Sequence, residues 1–315
     1  MSTPQRLAIT LGDPRGIGPE VVAEAVRHLR ESGDDTELIL LGPDELDPGV
    51  GEYEGLGRFD GSEQSAGVLS AVAVERAVHL ALSGTVAGIV TGPIHKPAIR
   101  SAGYMDPGHT EMLQRLTGAP EVGMLMAAEK TRLGAPLRVL LATTHVPLRR
   151  VPDLLTRDLL VSQAMLLKSS LEAEWNLTRP RIAICALNPH ASDNGLFGDE
   201  EDRVFRPALD ALGKAGVEVE GPIPADTVFA RTLSGEFDAV VAPYHDVGMA
   251  PFKTVAFGSG VNVTLGLPFI RTSPDHGTAF DIVGTGSADS TSMQTAIRMA
   301  ARLAGNRFDT LAAHM

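Results

Sequence analysis

The sequence holds a single cysteine, Cys185, among 315 residues. No internal disulfide can form, and the apolar setting RIAICAL marks Cys185 as a buried, inert thiol of a reducing compartment. Basic residues are also scarce, with 27 Lys and Arg against 39 Asp and Glu and a net charge of −12. A chain of that charge repels phosphodiester backbones and anionic lipid, so nucleic acid and membrane surfaces are excluded as partners. No basic arm or long like-charge run reverses this. No apolar run approaches the roughly 18 residues of a membrane span, and MSTPQRLAIT lacks a signal-peptide apolar core. The expectation is a soluble, cytoplasmic protein. Internal repeats, low-complexity tracts and a strict G-x-G-x-x-G fingerprint are absent as well.

Hydrophobic residues make up 43% and charged residues 21%, the balance of a globular chain. Short β-branched apolar runs alternate with longer runs of helical period. The expected strands are 7–11, 37–41, 88–91, 138–144, 181–187, 238–242 and 261–265. Amphipathic helices are expected over 19–30, 67–82, 152–175, 203–215 and 292–304. Such alternation implies parallel sheets covered by helices. The Gly-, Asp- and Glu-rich segment 42–67 lacks periodicity and reads as a surface loop. A domain boundary is expected within 120–136.

Three histidines share one topological position. His145 follows RVLLATT, His190 follows RIAICALNP and His245 follows DAVVAPY, each just past the carboxyl end of an expected strand. That edge is where open α/β sheets bind ligands. Taken singly, each would be an ordinary loop histidine; together they form a candidate divalent-metal site, with one ligand able to come from another subunit. Imidazole donors favour zinc, cobalt or nickel over magnesium. Asp226 in GPIPADT and Asp246 beside His245 could orient an imidazole, complete the coordination or accept a proton. Asp226 could equally cap the helix that follows it.

Candidate anion-binding groups are spread along the chain. GDPRGIGPEV (12–21) joins the first strand to the first helix, where backbone N–H groups can face an anion, although a tight turn explains its glycines equally well. TGPIHKPAI (91–99) places His95 and Lys96 after a strand, and GHTE (108–111) offers His109 and Thr110 as donors. Lys253, Asn262 and Arg271 follow; a Lys and an Arg on one pocket would bind phosphate or carboxylate through charge-assisted bonds, against the ordinary alternative of surface solvation.

Read in order, ITLGDPRGIGPE, TGPIHK, GHTE, ATTHVPLR, NPHAS, GPIPADT, YHDVGM and GVNVTLGLPFIRTSPDHGTA resemble the 4-hydroxythreonine-4-phosphate dehydrogenase family of pyridoxal-phosphate biosynthesis. The resemblance implies two α/β/α domains with an interdomain cleft, akin to isocitrate and isopropylmalate dehydrogenases and not Rossmann. The expected division is 1–128 with 282–315, and 129–281 carrying the metal ligands and a dimer interface. It implies a homodimer whose active site is shared across the interface, with NAD and a divalent ion (zinc, cobalt or magnesium) as cofactors. His145, His190 and His245 match the metal ligands; His109, Thr110, Lys253, Asn262 and Arg271 match substrate-binding positions; Asp226 matches a carboxylate near the reacting centre. DHGTAFDIVGTGSAD (275–289) is similar to the adenosine-binding loop of those dehydrogenases, which implies cofactor roles for Asp275, Gly277, Thr278, Ala279 and Asp281.

Val247 after the His-Asp pair and NPHASDNGLFGDEE beside a metal ligand depart from the family's commoner forms. Those departures look like catabolic relatives that oxidise 4-phospho-D-threonate or 4-phospho-D-erythronate. The expected reaction is metal-assisted oxidation of a secondary alcohol on a phosphorylated four-carbon hydroxy acid, with decarboxylation, 4-phosphohydroxy-L-threonine being the first choice of substrate. The competing class is a non-catalytic metabolite-binding protein.

Overall fold

The computed structural model describes residues 6–313. Two compact units emerge, one formed by residues up to 122 together with 261 onward, the other by the continuous stretch 123–260. The divisions expected near 128 and 281 therefore fall at 122/123 and 260/261. Residues 123–128 form a strand of the second unit, and 261–274 supply two strands to the first.

The first unit opens with β1 (Leu7–Thr10), α1 (Gly18–Glu31), β2 (Leu38–Gly42), β3 (Glu52–Gly55), α2 (Glu63–Leu82), β4 (Gly88–Thr91), α3 (Lys96–Ser101) and α4 (His109–Thr117). The second comprises β5 (Gly123–Ala128), β6 (Leu137–Leu141), α5 (Val151–Leu154), α6 (Arg157–Trp175), β7 (Ile182–Cys185), α7 (Arg206–Lys214), β8 (Val219–Ile223), α8 (Ala225–Leu233), β9 (Ala239–Ala242) and α9 (His245–Ala256). The chain then returns to the first unit as β10 (Val261–Leu265), β11 (Ile270–Pro274) and α10 (Thr291–Ala313).

In the first unit the strand order is β3-β2-β1-β4-β11-β10. All pairs are parallel except β10 with β11, which form an antiparallel pair. The order β3-β2-β1-β4 is that of a doubly wound half-sheet, but β4 is followed by strands from the end of the chain rather than by another strand–helix unit. The second unit runs β5-β6-β9-β7-β8, with β5 antiparallel to β6 and the remainder parallel. The wholly parallel sheets expected from alternation are thus mixed. Segment 42–67, expected to be a loop, contains β3 and the start of α2.

Buried aliphatic strands give each unit its own core. In the first, Ala8, Ile39, Leu41 and Ile89 of the sheet meet Ala73, Val74, Ala77 and Val78 of α2. Among the described residues α2 is the one helix long and apolar enough to cross a membrane, yet more than half of that stretch is buried inside the fold. In the second, Val139, Leu141, Ala183 and Val240 pack against Val228, Phe229 and Phe252. Cys185 lies on β7 within this core; burial first, then the charge of Glu201, pushes its thiol up to about 12.

Candidate active site

Sheet order explains why the three histidines share an edge. β6, β9 and β7 are adjacent and parallel, so the loops leaving their carboxyl ends emerge side by side. His145 lies in the loop after β6, His245 opens α9 after β9, and His190 lies in the loop after β7. Two of them meet: the rings of His145 and His245 are 5.5 Å apart, in an open cleft of about 370 Å³ that Tyr244, Asp246 and Leu148 also line. Asp246 Oδ1 stands 2.7 Å from His245 Nδ1, so the imidazole carries its proton there and presents the Nε2 lone pair. His190 is exposed and stands apart from this pair; among the described residues no group of three His, Cys, Asp or Glu could hold a metal ion. The pair fits a divalent ion in donor type and in the orientation set by Asp246, with further ligation left to groups outside it.

Asp226, in the first turn of α8 after β8, lies at the same edge and is exposed. It does not cap the helix, whose N-cap is Pro224. Lys253 sits in the last turn of α9, its ammonium 5.8 Å from the Phe257 ring.

In the first unit, Arg271 of β11 is 2% exposed. Its guanidinium donates to Thr264 Oγ1 on β10 at 2.8 Å and to Thr91 Oγ1 on β4 at 2.6 Å, while Nε has no partner. No carboxylate among the described residues pairs with it. Burial lowers its pKa to about 10, which still leaves it cationic at neutral pH. Asn262 stands on the face of β10 that carries Thr264, two residues on, and its Oδ1 is buried without a partner.

His109 is the first residue of α4. The residue as a whole is half-buried, but Nε2 is fully shielded and unpartnered. Burial, then the positive charges of Arg271 and Lys96, hold its pKa well below the usual imidazole value. Thr110 follows it on α4, half-buried. Arg271 and Lys96 thus both bear on His109, with the Glu111 carboxylate close to the Lys96 side chain beside Gly108. Lys96 belongs to this group although the residue-by-residue resemblance did not single it out; its signal was a cation placed just after a strand.

The segment 275–281 docks on the loop between β1 and α1. Ile17 N donates to Thr278 O at 2.9 Å, and a Cβ at Gly16 would lie only 2.7 Å from the same oxygen, so glycine is required there. Arg15, held by the buried Asp13 at 2.8 Å, places its guanidinium 5.3 Å from the Phe280 ring, and His95 meets that ring edge-on at 5.0 Å. Ala279 adopts left-handed backbone at φ 43°, while Gly277 and Asp281 are exposed. Asp275 N donates to Ser292 Oγ at 3.2 Å, which fixes the segment's other end. At Gly16, therefore, the need for glycine is accounted for by packing against this segment rather than by a phosphate cradle.

The mixed α/β units place the chain in the isocitrate-dehydrogenase class of fold. The isocitrate dehydrogenase of Methylococcus capsulatus, 14% identical, matches with a TM-score of 0.56 over 98% of this chain and 90% of its own. The profile of the family described as pyridoxal phosphate biosynthetic protein PdxA matches residues 30–300, and the chain belongs to that family. The 4-hydroxythreonine-4-phosphate dehydrogenase of Paracoccus denitrificans (strain Pd 1222) is 40% identical over 98% of this chain and 100% of its own. The D-threonate 4-phosphate dehydrogenase of Pectobacterium atrosepticum is 36% identical over 95% of this chain and 99% of its own. A crystal structure of 4-hydroxythreonine-4-phosphate dehydrogenase from Klebsiella pneumoniae, 38% identical, matches with a TM-score of 0.84 over 96% and 99% of the two chains. The named relatives are dehydrogenases, and this chain is an oxidoreductase of their family.

Proposed function

We propose that the protein oxidises the secondary alcohol of a phosphorylated four-carbon hydroxy acid, with NAD as hydride acceptor and a divalent ion as Lewis acid. 4-Phosphohydroxy-L-threonine is the first substrate to test, in keeping with the name of the Paracoccus relative. The observation that carries the reading is Arg271: a buried guanidinium with no carboxylate partner among the described residues, close enough to the shielded His109 to lower its pKa, suits a phosphate or carboxylate. The D-threonate relative supports 4-phospho-D-threonate as a second substrate, and 4-phospho-D-erythronate belongs to the same comparison.

In this mechanism Thr91 and Thr264 fix the plane of the Arg271 fork, leaving Nε to face the anion. Asn262 Oδ1 accepts from a substrate hydroxyl or amine, and His109 and Thr110 hold the polar end of the substrate. Lys253, on the second unit, adds a further cation for the phosphate or carboxylate. His145 and His245 of one subunit and His190 of the partner subunit would hold zinc, cobalt or magnesium, which would supply Lewis-acid polarisation of the substrate hydroxyl. Asp226 would take the hydroxyl proton; NAD, when bound, would supply the acceptor for the hydride of the same carbon, and the β-keto acid product would lose CO2. Asp275, Gly277, Thr278, Ala279 and Asp281 hold the adenosine end of NAD. The enzyme acts as a homodimer in the cytoplasm.

The test is NADH formation by purified protein with NAD and zinc, cobalt or magnesium, for the three phosphorylated acids side by side. Turnover of at least one, lost on chelation of the metal and in His190→Ala, is the expected result. Absence of NADH with all three would reduce the protein to a binding protein.

A further inference from the structure

We infer that Glu201 is a positioning residue that sets where His190 is presented, a step that rests on the reading of His190 as a metal ligand. Five successive residues from His190 to Asn194, none of them glycine, adopt left-handed backbone, with φ of 52°, 53°, 67°, 44° and 57°. L-residues disfavour this region, so such a run persists only where its surroundings impose it. The root of the loop shows the constraint. Glu201 is 0% exposed, and its Oε1 accepts from Leu187 N at 3.0 Å and Asn188 N at 2.7 Å. Its Oε2 accepts from Asn188 Nδ2 at 2.8 Å, and Glu200 Oε2 accepts from the same nitrogen at 2.7 Å.

The chain folds closely back onto this clamp. Gly198 has φ 138°, and a Cβ there would lie 2.5 Å from Glu200 Oε2 and 2.7 Å from Asn188 Nδ2. Glu201 itself begins a five-residue π-turn, Glu201–Phe205, which leads into α7. Single π-turns of this sort re-aim a side chain, and here the carboxylate is directed inward to the end of β7. No cation pairs with it among the described residues; its hydrogen-bond donors there are backbone and amide N–H groups. Burying a carboxylate to close a surface turn is unfavourable, whereas fixing a ligating imidazole two residues beyond Asn188 gives the arrangement a use.

The test uses the full-length protein, with zinc affinity from chelator competition and the visible spectrum of the cobalt-loaded form. Glu201→Gln keeps an oxygen for the two backbone N–H groups and loses the charge; it should weaken zinc binding by about 10- to 100-fold and alter the cobalt spectrum, with a near-native melting temperature. Glu201→Ala should weaken binding further, and if it does not fold, the Gln variant alone decides. His190→Ala is the control. Weakened binding in His190→Ala with native affinity and spectrum in Glu201→Gln would overturn the role of Glu201 alone. Native affinity in His190→Ala would remove the ligand reading itself and the inference with it.

Discussion

The two units present polar groups to ligands in opposite ways. In the first, Arg271 is locked between two threonine hydroxyls on neighbouring strands, buried and already oriented. In the second, His145 and His245 line an open cleft, while His190 rides on an exposed loop of unfavourable backbone. Among the described residues no carboxylate compensates the charge of the first arrangement, so the fold itself bears that cost. The second brings only two of its imidazoles together among the described residues. A preset buried cation and an open cluster of imidazoles are different solutions to preorganisation.

Replacing Arg271 by Met tests the contrast most severely. Loss of its charge-assisted bonds, each worth about 1.5–3 kcal/mol, should lower kcat/KM about 100-fold or more. Removal of a buried unpaired cation should leave the melting temperature unchanged or higher. A markedly lower melting temperature with retained phosphate binding would show Arg271 to be structural. Next comes Asp246→Asn in the second unit, expected to cost about 10- to 100-fold in zinc affinity while leaving stabilisation by inorganic phosphate intact. If both binding activities fell together, the two regions would not be independent.

Gly16→Ala forces Thr278 O away from its 2.7 Å approach and should raise the KM for NAD by roughly tenfold, about 1.4 kcal/mol, with little change for the phosphorylated acid. The smallest effect concerns pH. His109 is held neutral in the fold, its pKa well below the ordinary imidazole value of about 6.5, so on acidification the unfolded chain takes up a proton before the native one does. Stability is therefore fully present above 6.5 and declines as pH falls below it; His109→Gln should flatten that decline in denaturant titrations between pH 7 and 5. Inorganic phosphate should raise the His109 pKa, so binding near pH 6 should be accompanied by proton uptake, measured calorimetrically in buffers of different ionisation enthalpy.

Much of this was legible in the residues. β4 and β10 lie at their expected bounds and β1 within one residue, because apolar β-branched runs buried on both faces leave little choice. The missed strands each hide their nature. β3, EYEG, is an edge strand with little burial, and β8, VEGPI, is broken by a Gly-Pro pair. β5, GMLMAA, is written in helix formers. β11, IRTSP, is fully buried despite its polar residues, because they bond to neighbours that sheet order brings close. The same reason hid the partner of Arg271: Thr91 lies 180 residues away in sequence. The strand-end histidines could be read because topology turns spacing into position. Glu201 could not, since GDEED looks like a solvated acidic run and only the π-turn directs one of its carboxylates inward.

The return of the chain to its first unit has a consequence for biogenesis. Residues 123–260 are continuous and can fold as soon as they leave the ribosome, whereas the first unit waits for β10, β11 and α10. Arg271, Thr264 and segment 275–281 all arrive on that late piece, while Thr91, His109 and Gly16 have been made long before. The proposed anion site thus joins segments made far apart in synthesis. A nascent chain that has not reached β11 carries His145, His190 and His245 but lacks Arg271, so on the proposed reading the histidines precede the guanidinium in synthesis.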